Sequence, residues 1–346
     1  MRDRLPDAQL ATAIAQASDR DALIAAATNA LPGVQDQLHA LGFDAVACAR
    51  RITQLVDTLT QRLIGLTELG PPPAAYAWLA AGSQGRGEQT AYTDQDTALI
   101  HAPTASEQAA RYFTTLARAV GQDLDTCGIP TCSGGVAADQ PDWSGDCATW
   151  ERRLLESVTI TDTHAVMRTA QYFDLRVVHG EAQLFEPLRR RAMTLAAGQQ
   201  RYLQGNAANL RRGPRSIGVL GSWPRVRSGP HRGLVSLKQS GLIPISQLAQ
   251  RHALRARLDE RHTLERLRAA AAAGVIDRTS ADELIIAYRL IAQMRLEHLV
   301  ERRRGRQPLS NHLDPAALPA LQRKVLRAAL ASVHAQRAAL RLGDGD

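Results

Sequence analysis

Along residues 7–69 apolar side chains recur mostly at intervals of three and four, through Leu10, Ile14, Leu23, Ala27 and Leu31 and then Leu38, Ile52, Leu55, Val56, Leu59 and Leu63. That is the period of one helix face, and it predicts helices. Leu31-Pro32-Gly33 is expected to break the run, and Gly70-Pro71-Pro72-Pro73 to end it. The pattern then changes. Tyr76–Ala81 and Thr97–Ile100 are short, wholly apolar or nearly so, and bounded by Gly, Pro or Asp, as buried strands are. Residues 106–127 return to helical spacing, CSGGVAAD reads as a turn-rich connector or short strand, and Trp150–Val158 and His164–Phe173 read as helices. Leu175–Val178 is a further short strand.

Beyond residue 186 the chain is mostly helical in pattern, with helices expected at 244–258, 262–273, 280–304 and 315–341. Pro244 and Pro315 sit near helix starts, and Ser280 with Glu283 suggests a capping box. A glycine- and arginine-rich interruption spans 211–233. The fold class expected is α+β: a small mixed-sheet core, flanked by N-terminal helices and a C-terminal helical bundle, with helix predominant overall. The expected divisions are an N-terminal helical region at 1–70, an α/β domain at 71–185 and a helical domain at 186–346.

Composition agrees with helix. The 346 residues are 45% hydrophobic but only 4% aromatic, and alanine, leucine and arginine abound. The formal net charge of +8 favours anionic partners, although 34 acidic residues are interspersed among the 42 basic ones. A nucleic-acid-binding protein would rest on that charge alone, since no aromatic stacking cluster or reading motif accompanies it, and nucleic acid is disfavoured as a partner. The four cysteines show neither a disulfide framework nor a Cys-x-x-Cys pair, as expected of reduced thiols in the cytoplasm. No secretory leader and no run of 18 apolar residues is present, so no membrane partner is expected.

The chemistry concentrates in AGSQGRGEQTAYTDQDTALI, residues 81–100. At the head of a strand, Asp94 and Asp96 would point to the same side, a few ångströms apart. Two like charges that close repel, and a divalent cation relieves the repulsion; Mg²⁺ commonly binds through one or two carboxylates plus substrate phosphates. Upstream, Gly82, Gly85 and Gly87 let the backbone approach a ligand, and free N–H groups in such a turn form an anion nest. Ser83 can donate to a phosphate oxygen, and Arg86 offers a planar fork suited to phosphate. Neither a Gly-x-Gly-x-x-Gly loop nor a P-loop Lys-Ser/Thr is present. A phosphate turn beside a metal-holding acid pair is what nucleotidyl transfer needs.

Gly82-Ser83, followed eleven positions later by an Asp-x-Asp that begins a strand, resembles the DNA polymerase β-like nucleotidyltransferase superfamily. The string GSQGRGEQTAYTDQD is similar to the nucleotidyltransferase domain of protein-PII uridylyltransferases, and more so to a bacterial family of nucleotidyltransferases often fused to CBS or cyclic-nucleotide-binding domains. CGIPTCSGGVAAD, FDLRVVHGE, VSLKQSGLIPISQLAQRHAL and Thr263–Leu267 resemble that second family too, so the likeness covers nearly the whole chain.

The resemblance implies a helical substrate-binding domain after the core, Gly82, Ser83 and Arg86 on a triphosphate, and Asp94 and Asp96 on Mg²⁺ or Mn²⁺. Glu88 would orient Arg86. A third carboxylate usually completes such a metal site, and Asp174 is the candidate; the rival expectation is a structural Asp174–Arg176 pair. Asp139 and Asp142 are weaker candidates. Lys238 and the arginines of 211–233 could grip the triphosphate or an acidic acceptor. Ser236 stands where the family leads one to expect an acid. No CBS or cyclic-nucleotide module is recognisable, which throws any sensing on residues 1–70 or on a partner.

The function expected is transfer of a nucleoside monophosphate from an NTP, ATP among the candidates, to an acceptor hydroxyl, with release of pyrophosphate. The likeness to uridylyltransferases points to a protein acceptor and a role in signalling. A non-catalytic nucleotide-binding signalling protein is the alternative, and a homodimer is compatible with either.

Overall fold

A computed structural model describes residues 5–68, 70–104, 106–159, 163–218 and 221–340; of residues 163–167 it describes the backbone alone. The chain forms two compact units, residues 1–157 with 171–192 and residues 158–170 with 193–346. The fold is α+β and predominantly helical.

The first unit opens with four helices, α1 (Pro6–Gln16), α2 (Arg20–Ala27), α3 (Ala30–Ala40) and α4 (Ala45–Thr67). The expected break at Leu31-Pro32-Gly33 falls two residues earlier, at Asn29, which takes a left-handed conformation (φ 56°). Pro32 then lies in the first turn of α3, where a missing N–H interrupts no helical hydrogen bond. Asp19 and Asp44 cap α2 and α4 by accepting from Ala22 N and Ala47 N. The apolar face of α4 packs on α1, α2, α3 and the helix α6 (Glu107–Thr126).

The sheet holds β1 (Tyr76–Ala80), β2 (Thr97–His101), β3 (Ser144–Asp146) and β4 (Arg176–Gly180), in the order β3-β2-β1-β4. β1 pairs antiparallel with β2 and β4, and β2 parallel with β3, so the sheet is mixed. Every residue of β1 and β2 is buried, which is why those runs lack a polar alternation. Between β1 and β2 lies the single helical turn α5 (Gly82–Gly85). The third strand is Ser144–Asp146; CSGGVAAD, expected as a turn-rich connector or short strand, forms turns and a loop. Ser-Gly-Asp carries no strand propensity of its own; its backbone pairs because β2 offers an open edge. The helix α7 (Cys147–Thr159) packs Trp150 under the sheet, its indole N–H donating to Leu99 O at 2.9 Å. Edge contacts among Trp143, Trp150, Tyr172 and Phe185 fill that layer.

Helix α8 (Thr163–Asp174) precedes β4, and α9 (Glu186–Gly198) follows it. The second unit is built from α10 (Gln200–Arg212), α11 (Ile243–Arg255), α12 (Thr263–Ala272), α13 (Arg278–Arg304) and α14 (Ala320–Ala339), with a two-stranded ribbon, β5 (Val235–Ser236) and β6 (His312–Leu313). Asp277, not Ser280, caps α13, because its carboxylate accepts from Ser280 N. The last helix begins at Ala320, five residues after the expected start at Pro315, and the expected end at residue 341 lies outside the described residues. No helix among the described residues is long and apolar enough to cross a membrane.

His252 on α11 is 7% exposed and its Nδ1 finds no hydrogen-bond partner among the described residues. Burial, and then the charges of Arg251 and Arg255, push its pKa down to about 4. The buried imidazole is neutral, so stability is complete above the ordinary value of 6.5 and is lost as pH falls towards 4. The loss expected from His252 alone is about 3 kcal/mol. Urea unfolding at pH 7.5 and pH 4.5 should therefore show a smaller pH dependence in His252→Gln than in the parent protein.

Candidate functional site

The turn after β1 and the acid pair before β2 are joined by one backbone hydrogen bond, Ala81 N to Asp96 O at 2.8 Å. Two glycines let the turn fit between its neighbours. Gly82 has φ +55°, and a Cβ there would lie 2.2 Å from Asp96 Oδ2. A Cβ on Gly85 would lie 2.2 Å from Asp174 O and 2.7 Å from Ala80 O. The turn is thus pressed between the Asp96 carboxylate on one side and the end of α8 on the other. Ser83 is half-buried; its carbonyl accepts from Glu88 N, and its hydroxyl makes no hydrogen bond among the described residues.

The segment before β2 alternates. Thr93, Gln95 and Thr97 are buried, while Asp94 and Asp96 are half-buried on the other side. The inward anchors are specific. Gln95 N donates to Pro130 O, and its side-chain amide to Gly121 O and Ile129 O at 3.0 and 3.1 Å. Thr97 N donates to Val136 O, and Thr97 Oγ1 accepts from Ala138 N. These bonds fix the 129–138 loop along the acid pair and bring Cys132 beside it. One oxygen from each of Asp94 and Asp96 and the Cys132 sulfur lie within 4.8 Å of one another. Burial, followed by the hydrogen bond and charge of Asp96, pushes the Cys132 thiol up to about 11.

The donor set fits a divalent ion. Two carboxylates a few ångströms apart on a rigid segment suit Mg²⁺ or Mn²⁺, and a thiol is a softer third donor than Mg²⁺ prefers. Cys132, one of the four cysteines read from the sequence only as reduced thiols, is half-buried and adjoins both carboxylates.

Arg86 ends the turn. Its Nε donates to Glu88 Oε2 at 2.9 Å and its Nη1 to Asp174 Oδ2 at 2.6 Å. The side chains of Arg86, Glu88 and Asp174 are 15%, 5% and 9% exposed. Burial alone would lower the Arg86 pKa, but the two carboxylates outweigh it and hold the guanidinium charged. Asp174 is thus an ion-pair partner of Arg86 and lies outside the Asp94–Asp96–Cys132 group. The partner of Arg176 is Asp57 on α4, at 2.8 Å. Arg176 also donates to Gln84 O and Gly85 O, and Gln84 Nε2 donates to Asp57 Oδ1, so the two sides of the turn are clamped from β4 and α4. Burial raises the Asp57 pKa, and Arg176 opposes it.

Asp139 is half-buried and accepts from Gln140 Nε2, whereas Asp142 is exposed in a short 3₁₀ turn; neither joins the acid group. Lys238 belongs to the second unit, in a five-residue π-helical turn, Lys238–Leu242, that leads into α11.

A family model described as "Putative nucleotidyltransferase DUF294" matches residues 29–163, and one described as "Putative nucleotidyltransferase substrate binding domain" matches residues 200–342. No curated protein matches the chain.

Removing Arg86 would break its ion pairs with the buried Glu88 and Asp174. Breaking a buried pair in this way costs about 3–5 kcal/mol. Arg86→Ala should lose about that much stability in denaturant unfolding. Arg86→Ala combined with Asp174→Asn should lose less than the sum of the single changes, because the two residues share one ion pair.

Proposed function

The chain belongs to this family of nucleotidyltransferases, and on that premise we propose that it moves a nucleoside monophosphate from an NTP to an acceptor hydroxyl with the help of Mg²⁺ or Mn²⁺. The observation that carries the reading is the convergence of Asp94, Asp96 and Cys132 within reach of one cation, against the Gly82-Ser83 turn. Asp94 and Asp96 would hold the ion. When bound, it would neutralise charge on the triphosphate and lower the cost of attack at phosphorus.

The chain's own groups account for the rest. The backbone of Gly82 and the Ser83 hydroxyl are the donors nearest the acid pair for a phosphate oxygen. Arg86 engages carboxylates through Nε and Nη1, so its part in phosphate binding falls to Nη2, and its larger part is to position the turn. Asp174 acts through Arg86. The acceptor oxygen forms the new ester bond to the α-phosphorus, the bond to the pyrophosphate oxygen breaks, and the hydroxyl proton is released. Lys238 is a further candidate for a phosphate contact. A protein acceptor and a signalling role rest on the likeness to uridylyltransferases. An intact acid pair argues against a non-catalytic nucleotide sensor, which does not need both carboxylates.

Asp94→Asn and Asp96→Asn should each reduce transfer of labelled nucleotide by more than about 100-fold, the scale of losing charge stabilisation at a reacting phosphate. Melting temperature should hold or rise, since each change removes one of two neighbouring negative charges. Mn²⁺ affinity, measured by calorimetry, should fall in both. Full transfer activity in both variants would overturn the reading.

A further inference from the structure

We propose that an arginine-lined cleft within the second unit is a binding site for a small polyphosphorylated ligand of about nucleotide size. The cleft has a volume of about 850 Å³, within the range of ligand cavities. Arg212, Arg215, Arg225, Arg227 and Arg232 line it, and no carboxylate does among the described residues. Arg225 is held by Gly233 O and, at 3.4 Å, by Asp314. The side chains of the other four make no hydrogen bond or ion pair among the described residues. Five like charges around one concavity repel one another, and an anion with several charges relieves that repulsion.

Backbone hydrogen bonds among the described residues hold the segments that carry the arginines. Arg337 on α14 donates to Leu210 O and Pro214 O, closing the end of α10 just where Arg212 leaves it. The loop then folds on itself through Gly218 N to Ser222 O, Val226 N to Leu234 O and Gly233 N to Val226 O. Arg225 and Arg227 are therefore held beside β5. The cleft also offers groups that suit phosphate and a flat organic moiety. Ser236 and Ser240 are buried at its edge and supply hydroxyls. Ser236 is the position where the family likeness leads one to expect an acid; serine keeps the cleft free of a carboxylate there. Trp223 adds an apolar wall, backed by Arg327 at 4.9 Å from its ring. Guanidinium forks match phosphate oxygens in pairs, and four or five of them suit a triphosphate better than a single phosphate.

This inference does not depend on the metal-centre reading, and the test separates them. The full-length protein in EDTA is titrated calorimetrically with inorganic tripolyphosphate, ATP, inorganic phosphate and a single-stranded oligonucleotide. Tripolyphosphate and ATP should bind, with inorganic phosphate at least about tenfold weaker, the scale of losing one or more charge-assisted contacts. Arg227→Gln with Arg232→Gln should weaken both by about tenfold or more. Asp94→Asn with Asp96→Asn should leave both unchanged, even where transfer activity is lost. ATP binding more tightly than tripolyphosphate would show that the cleft also holds the nucleoside, and equal affinity that it reads phosphates alone; either supports the proposal. Absence of binding at millimolar tripolyphosphate, binding indifferent to the arginine changes, or an oligonucleotide preferred over both small ligands would overturn it.

Discussion

One buried guanidinium organises the candidate site. Arg86 lies between Glu88, two residues away on the same turn, and Asp174, which closes α8. A charge that deep is tolerable only because both partners are there. In satisfying it, the fold fixes the glycine turn against the end of α8, and Gly85 lacks a Cβ because Asp174 O occupies that space. Arg176 and Asp57 repeat the arrangement on the other side of the turn, with the guanidinium also capturing the Gln84 and Gly85 carbonyls. Rigidity here is electrostatic, and it serves the position of Asp96, whose carboxylate touches Gly82.

The N-terminal helices take part in this. Besides Asp57 from α4, Thr53 Oγ1 accepts from Gln89 N and Gln35 Oε1 from Ala91 N, so the loop between the turn and the acid pair lies on α3 and α4. Sequence pattern alone would assign residues before 70 to a region of their own. Gln35, Thr53 and Asp57 tie α3 and α4 to the turn and to the loop that leads to the acid pair, and the first family model begins at residue 29.

What was legible in the sequence was local. The helices α4 and α6 and the strands β1 and β2 follow from periodicity and from apolar runs bounded by breakers. The neighbourhood of Gly82, Asp94 and Asp96 follows from a hairpin-like connection of two such strands, and Glu88 is close to Arg86 in sequence. What pattern could not show was set by distant pairing. Ser144–Asp146 is a strand only by virtue of the β2 edge. Cys132 reaches the acid pair because Gln95 draws in the 129–131 backbone. Arg176, which the rival reading paired with Asp174, is instead bound to a carboxylate 119 positions away. The signal that could have drawn attention to Cys132 was its place in CGIPTCSGGVAAD, a string already set apart by its likeness to the family.

The span between Arg86 and its second carboxylate also has a temporal meaning. Asp174 lies 88 positions downstream. At ordinary rates of synthesis, about 5–20 residues per second, the turn emerges from the ribosome roughly 4–18 seconds before the group that completes its charge balance. Through that interval Arg86 has only Glu88, and the sheet lacks β4. The glycine turn is therefore among the first parts of the site to be made and among the last to become rigid.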